Sequence, residues 1–516
     1  MSRSSISAPA LLVLLTSVAV PVAAQTTSTA PNSGPGRLTL PPQSDPMRDP
    51  QAPLPPAPLP PRAVDPQTGR PITVRPDNVD PVDAAARERL QSGTTVPVPA
   101  YIPLPTGSTQ QTELPTQRVA DRALAASRLP GTTVRLRQRP GYDAPGLRAG
   151  GMVIHPYIDT GVAYDANVYA EENPRNDVFA HLTGGFDAAS DWGRHRAVLS
   201  GFVRRRQYGQ YTSENTTTYR LIGAGRYDAD SHLSFNSEAS HQRIQLERGA
   251  VEEVSSLALP TLYDFTSGLL GAQVQYGSTR LSAQGGVNRT AFRDNRSLTG
   301  AVTDQRFRNF TGYTGQARLE QEVLGGRTLY GQFNFERRRF ETADAIRLSN
   351  ADVYTLTGGL RGALTQLIRG HAGVGIIRVD FQDPAAPSIS SLTFDTQIDW
   401  LVRDRTTISL SGERDLRTVA QRGVRAALFT TVNLRVDEEI RRNLILSVGL
   451  RQQFTDYVQD TRRASATGVT LGADWLLDRH WTVRPQVSYL RRTDRGFNLD
   501  LGPEDAQVGV SATFRL

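Results

Sequence analysis

Beyond residue 150 this chain repeats one unit, a segment of about ten to thirteen residues that alternates apolar and polar, and joins the units by connections that are short and long in strict turn. The alternation is plainest in 443–453, where Leu444, Leu446, Val448 and Leu450 share one face and Asn443, Ser447, Gly449 and Arg451 the other. Leu392, Phe394, Ile398 and Trp400 likewise oppose Thr393, Asp395, Gln397 and Asp399. Leu329, Phe333 and Phe335 oppose Tyr330, Gln332, Asn334 and Glu336, and Val469, Leu471, Ala473 and Trp475 oppose Thr470, Gly472 and Asp474. Period-two patterning of this kind gives strands with one oily and one wet face.

The pattern predicts strands over 153–164, 178–189, 196–207, 218–229, 233–245, 262–276, 279–291, 309–322, 327–339, 352–364, 369–381, 391–401, 405–416, 426–437, 443–454, 465–477, 481–492 and 505–516. The short connections are 191–195, 228–232, 277–278, 324–326, 365–368, 402–404, 438–442 and 478–480; between them come long polar ones such as 208–217, 293–308, 341–351 and 493–504. Short turns on one rim and long loops on the other describe a transmembrane antiparallel β-barrel with its turns toward the periplasm. The expected fold is therefore all-β, a barrel of about 18 strands (16 to 20) over 151–516. A spanning strand needs roughly 9 to 11 residues, and closing the sheet leaves no polar edge in lipid. Aromatics at strand ends (Tyr164, Tyr208, Tyr276, Phe381, Trp400, Trp475, Trp481, Tyr489) suit interfacial girdles. The last strand carries Val508, Val510, Ala512, Phe514 and Leu516 on one face. It looks like the C-terminal targeting strand of such barrels, with Phe514 two places before the end and Leu516 where the terminal aromatic usually sits. Recognition by the barrel assembly machinery follows as an expectation.

The first 150 residues differ. They hold 26 of the 33 prolines, and 15 Arg against 10 acidic residues, which is +5 of the total net charge of +7. Residues 1–24 read as a signal peptide: Arg3, then an apolar core from Ala10 to Val20, then Val22-Ala23-Ala24, with cleavage expected after Ala24. Residues 25–150 carry too few large apolar side chains to offset the entropy of ordering, so a disordered Pro-rich periplasmic arm is expected, with short helical pieces at 82–90 and 117–128. Such an arm is a solubilising linker, or a tether that reaches partners.

The segment YDANVYAEENPRND at 164–177, after the first strand, resembles the Y-D-x-N-V-Y opening of the β-barrel porin 2-like family of proteobacterial outer-membrane proteins. With the strand pattern, the resemblance covers 151–516. It implies an outer-membrane barrel associated with export of exopolysaccharide or capsular polymer, often beside a periplasmic polysaccharide-export protein. The Pro-rich arm lies outside that motif.

Chemistry is otherwise sparse. With no Cys, disulfides, thiol nucleophiles and Cys-ligated metals are excluded. The seven His form no HExxH or HxH arrangement, and His195, His232 and His480 fall in short turns. His241 with Ser240 or Ser282 is the one loose pairing a wall-borne hydrolase would need. The Asp/Asn-rich stretches 165–167 and 294–297 offer calcium ligands, although plain solvation explains them as well. No nucleotide or nucleic-acid motif occurs, no cofactor or resident metal is expected, and the protein is read as a non-enzyme. What remains is the lumen. The alternation turns Arg318, Glu320, Glu336, Arg338, Asp395, Asp399, Glu413, Arg435, Asp437, Arg451, Asp474 and Arg484 inward. Three functions fit: a conduit for a polysaccharide, a general diffusion porin constricted by the 293–308 loop, and a surface adhesin or structural barrel whose lumen the arm plugs.

Overall fold

A computed structural model describes residues 133–516, apart from 247, 249–258, 298–299, 324–325, 343–349, 384–385, 419–425, 459–460 and 496–503. The signal peptide, its Ala24 cleavage site and the two helical pieces of the arm lie outside the described residues.

Eighteen antiparallel strands form the barrel: β1 (Met152–Asp165), β2 (Asp177–Ser190), β3 (Arg196–Tyr208), β4 (Thr216–Asp228), β5 (Leu233–Gln245), β6 (Leu262–Tyr276), β7 (Thr279–Phe292), β8 (Phe310–Val323), β9 (Arg327–Phe340), β10 (Ala351–Ala363), β11 (Ile368–Phe381), β12 (Ile389–Arg403), β13 (Thr406–Thr418), β14 (Ala426–Arg441), β15 (Leu444–Tyr457), β16 (Arg463–Leu476), β17 (Trp481–Arg495) and β18 (Glu504–Arg515). Each pairs with its neighbour in sequence, and β1 pairs with both β2 and β18, so the sheet closes on itself. Closure satisfies every strand edge from within, which is why strands can cross a lipid layer here. No helix among the described residues is long and apolar enough to cross a membrane.

Burial is inverted relative to a water-soluble protein. Leu270, Leu356, Val374 and Leu392 are 63–72% exposed, whereas Asp159, Arg204, Glu320 and Asp437 are at most 4% exposed. Both sets obey the strand period, so the apolar side chains face out and the polar ones face the lumen. Tyr227, Tyr276, Trp400, Trp475 and Trp481 stand exposed at the short-turn rim, and Tyr164, Tyr313, Phe454 and Tyr489 toward the other. Tyr208 and Phe381, read from sequence as girdle members, are not among them. Tyr208 packs with Phe179, Val168 and Tyr169, and Phe381 against the cluster of Val353, Ile377, Val379 and Ile389. Among the described residues the apolar clusters lie at the long-loop end, where oily side chains pack against one another on the inner face.

A charge placed on the outer face should cost roughly 2–4 kcal/mol at mid-membrane. Leu356→Arg, in the middle of β10, is therefore expected to lower the urea midpoint of the vesicle-inserted barrel, while Gln332→Arg on the inner wall leaves it near wild type. Equal midpoints would contradict the face assignment.

Connections alternate as read, with shifts of a residue or so at some turns, such as 402–404, where β12 runs to Arg403, and a larger one at 438–442. The stretch 438–442, read as a short connection, is mostly strand: β14 runs to Arg441 through an irregularity between Glu439 and Arg441, leaving 442–443 as the turn. The turns themselves are tightly bonded. Asp478 accepts the N–H groups of Trp481 and His480, and Asp230 those of His232 and Leu233; these bonds hold both carboxyls below the usual carboxylate range.

Candidate functional site

The inner wall carries charges in paired arrays. Glu320 on β8 accepts from Arg280 at 2.9 Å, Arg318 at 2.9 Å and Arg361 at 2.8 Å, drawn from β7, β8 and β10. Arg318 also lies 4.2 Å from the centroid of the Tyr330 ring and donates to Gln332. Tyr330 has room because Gly359 and Gly373 face it; a Cβ at Gly373 would collide with its hydroxyl. Glu336 pairs with Arg338 at 2.7 Å, Asp399 accepts from Ser409, Asp395 lies 3.3 Å from His371, and Glu413 lies 3.6 Å from Arg417. Arg451 donates to Gln453. Arg435 holds Asp437 at 3.0 Å and Arg484 holds Asp474 at 2.7 Å.

At the closing seam, buried Asp159 of β1 accepts from Thr513 of β18 at 2.7 Å, meets His181 of β2 at 2.9 Å and lies 3.8 Å from Arg484 of β17. Four strands thus converge on one carboxylate. All twelve side chains assigned inward from the sequence lie on this polar face, within these arrays. Replacing Glu320 with Gln leaves three arginines facing the lumen with one counter-charge fewer, so the pore should shift toward anions by roughly twofold in permeability ratio. The reversal potential in a salt gradient measures it; an unchanged potential would place Glu320 outside the conducting path.

One element was not foreseen. The chain from Thr133 to Ala149, read as part of the arm running to Gly150, is held against the barrel. Leu147–Ala149 pairs with Met152–Ile154 of β1, and a single 3-10 turn, Val134–Leu136, sits on the stretch of wall formed by β13 to β16. There Val134 N–H donates to Thr407 Oγ1 of β13 at 3.0 Å, and Arg135 spans Asp437 of β14 at 2.7 Å, Ser447 of β15 and Asp474 of β16 at 2.9 Å. Arg137 and Arg139 both reach Glu439 of β14, at 3.3 Å and 3.0 Å. Val134 is 1% exposed, so this strap lies inside the wall at the short-turn mouth. Ordering follows from charge: three arginines two residues apart meet three inward carboxylates, and Glu439 is inward because β14 continues past 437.

At the long-loop end the seam is knotted by the 164–177 motif. Asp165 accepts from the Asn167 N–H, the Tyr208 hydroxyl and Gln507, and Asn167 bridges the backbone of Glu171 and Glu504. Ala170 turns the loop with a positive φ of 52°. Beside it Glu214 pairs with Arg248, and burial pushes its carboxyl above the ordinary value.

The His241 pairing dissolves. Ser240 points inward to Ser267 at 2.7 Å, while His241, one residue on, is exposed on the outer face and contacts Tyr219 and Thr266. Ser282 meets the Arg318 carbonyl instead. Among the described residues no group of three or more His, Cys, Asp or Glu could hold a metal ion.

A closed eighteen-strand barrel with an oily outside and a charge-lined interior defines an outer-membrane β-barrel of the porin and transporter kind. The chain belongs to the family described as "Putative beta-barrel porin 2", whose model matches residues 139–514. Among solved structures the chain is similar to the "Copper transporter OprC" at 10% identity and a TM-score of 0.38, over 74% of this chain and 82% of that one. It is similar also to OccK2 (OpdF) of Pseudomonas aeruginosa, in complex with glucuronate, at 12% identity and 0.38, over 71% and 98%. The FrpB iron transporter from Neisseria meningitidis gives 10% and 0.39, over 66% and 61%. No curated protein matches the chain.

Proposed function

We propose that this barrel is a conduit for export of an exopolysaccharide or capsular polymer. The observation that carries the reading is the inner wall: charges of both signs held in pairs, with Tyr330 and its stacked Arg318 among them, offer a hydrated sugar chain many weak contacts and no single strong one. Beyond residue 150 the chain has 43 Arg against 41 acidic residues, so no strong field favours small ions of either sign. The residues that act here are the inward set named above, as polar lining. The arm preceding the strap reaches a periplasmic polysaccharide-export protein, and the strap ties that arm to the mouth through which a polymer enters.

Deleting the gene in its host tests the reading. Extracellular polymer is expected to fall while polymer accumulates inside the cell, with both restored by a plasmid copy. Unchanged polymer with slower uptake of small solutes would favour a general diffusion porin, and unchanged polymer with lost surface attachment would favour an adhesin.

A further inference from the structure

The outer face is not the same at its two rims. On five strands that run from the short turns toward the long loops, the outward row passes from an apolar residue to an arginine within the last few residues: Val203 then Arg205 on β3, Val287 then Arg289 on β7, Phe335 then Arg337 and Arg339 on β9, Ile376 then Arg378 on β11, and Tyr489 then Arg491 on β17. Arg243 stands on the outward row of β5, one outward position before its end at Gln245. At the opposite rim, the outward rows of the returning strands end in Tyr227, Tyr276, Trp400, Ile440 and Trp475.

Height places these arginines. Ten residues separate Trp481 from Arg491 on β17, and ten separate Thr279, the register partner of Tyr276, from Arg289 on β7. At ~3.3 Å per residue and a tilt of about 40°, that is roughly 25 Å along the membrane normal, the height of the apolar band of such barrels. The guanidinium groups therefore stand one hydrocarbon thickness above the aromatic girdle, at the headgroups of the leaflet on the long-loop side.

From this we infer that the arginine belt binds phosphate-bearing lipid headgroups of the outer leaflet, specifically a glycolipid carrying phosphomonoesters. A guanidinium offers five donors in a planar fork that fits phosphate oxygens in pairs. Five of its arginines have a carboxylate partner, and among the described residues Arg205 has none. Arg289 pairs with Glu341, Arg378 with Asp380 and Arg491 with Glu504, yet these arginine side chains stay 55–62% exposed; Arg337 with Asp352 is 43% exposed, and Arg243, held by Asp264, is 19% exposed and the least available. Exposed pairs of this kind contribute at most about a kcal/mol, so a phosphate dianion can displace or share them. Arg205 donates to Thr217, and Arg339, two residues beyond Arg337 on β9, to Gln382, both uncharged. The inference uses the outer-membrane placement and is independent of what passes through the lumen.

The test uses the mature full chain in neutral phosphatidylcholine nanodiscs, with native mass spectrometry counting retained lipid. Bisphosphorylated lipid A is expected to be retained at least about tenfold better than its dephosphorylated form, and better than phosphatidylglycerol. Arg205→Gln/Arg289→Gln/Arg378→Gln is expected to lose most of that preference, while Arg327→Gln at the short-turn rim keeps it; heat-modifiable migration on gels reports that each variant is folded. Equal retention of the phosphorylated and dephosphorylated lipids by the wild-type chain, or an unchanged preference in the triple variant, would overturn the inference. The wild-type comparison stands even where the triple variant does not fold.

Discussion

Arg135→Ala/Arg139→Ala is expected to release the strap from the wall and raise the conductance of the barrel. Arg135 joins three strands through Asp437, Ser447 and Asp474, with both carboxylates at least nearly nine-tenths buried. Removing one member of a buried charge pair costs about 3–5 kcal/mol in general. Here Arg435 and Arg484 remain beside the two carboxylates, so about 2 kcal/mol is the better figure. At 1.4 kcal/mol per tenfold, that is a shift of roughly thirtyfold in the ratio of docked to undocked strap. Two measurements report it: larger single-channel steps, and faster proteolysis between residues 133 and 149. The barrel itself should stay intact, because strap and strand pairing share no ladder beyond Leu147–Ala149. Wild-type conductance together with wild-type protease resistance would show that the strap neither obstructs the mouth nor depends on its arginines.

Asp159→Ala acts on closure instead. The carboxylate is 2% exposed and gathers Thr513, His181 and Arg484 from three other strands across the one place where the ends of the barrel chain meet. Every other neighbouring strand pair is also joined by a chain connection, short or long, but β1 and β18 are joined only by pairing. A loss of about 3 kcal/mol is expected, from an unmet Thr513 hydroxyl and an imidazole without its acceptor. Urea unfolding of the vesicle-inserted chain and loss of heat-modifiable migration measure it. A change under about 1 kcal/mol would mean that backbone pairing alone keeps the seam shut.

The strands were legible because each had to solve the same problem locally: an oily face for lipid and a wet face for the lumen, at period two. Nothing distant is needed to see that Leu444, Leu446, Val448 and Leu450 belong together. The inward charges follow from the same alternation. The strap was not legible, since its meaning lies in partners about 300 residues away; Arg135, Arg137 and Arg139 show a spacing of two, but their carboxylates stand on β14 and β16. The reading of 438–442 as a connection missed the same contact, since Glu439 continues β14 and meets Arg137 and Arg139. Tyr208 and Phe381 misled for another reason: at the long-loop end the inside of the barrel is oily too, so an aromatic at a strand end does not have to face lipid.

The most direct measurement is single-channel conductance of the mature chain in a planar bilayer, with and without residues 25–149, while oligosaccharides of increasing length are added. A conduit predicts an open pore that sugars block, with residence times that lengthen with the number of sugar units and steps that grow when the strap is removed. A membrane that stays silent with both chains, or a pore whose current no oligosaccharide changes, would contradict it.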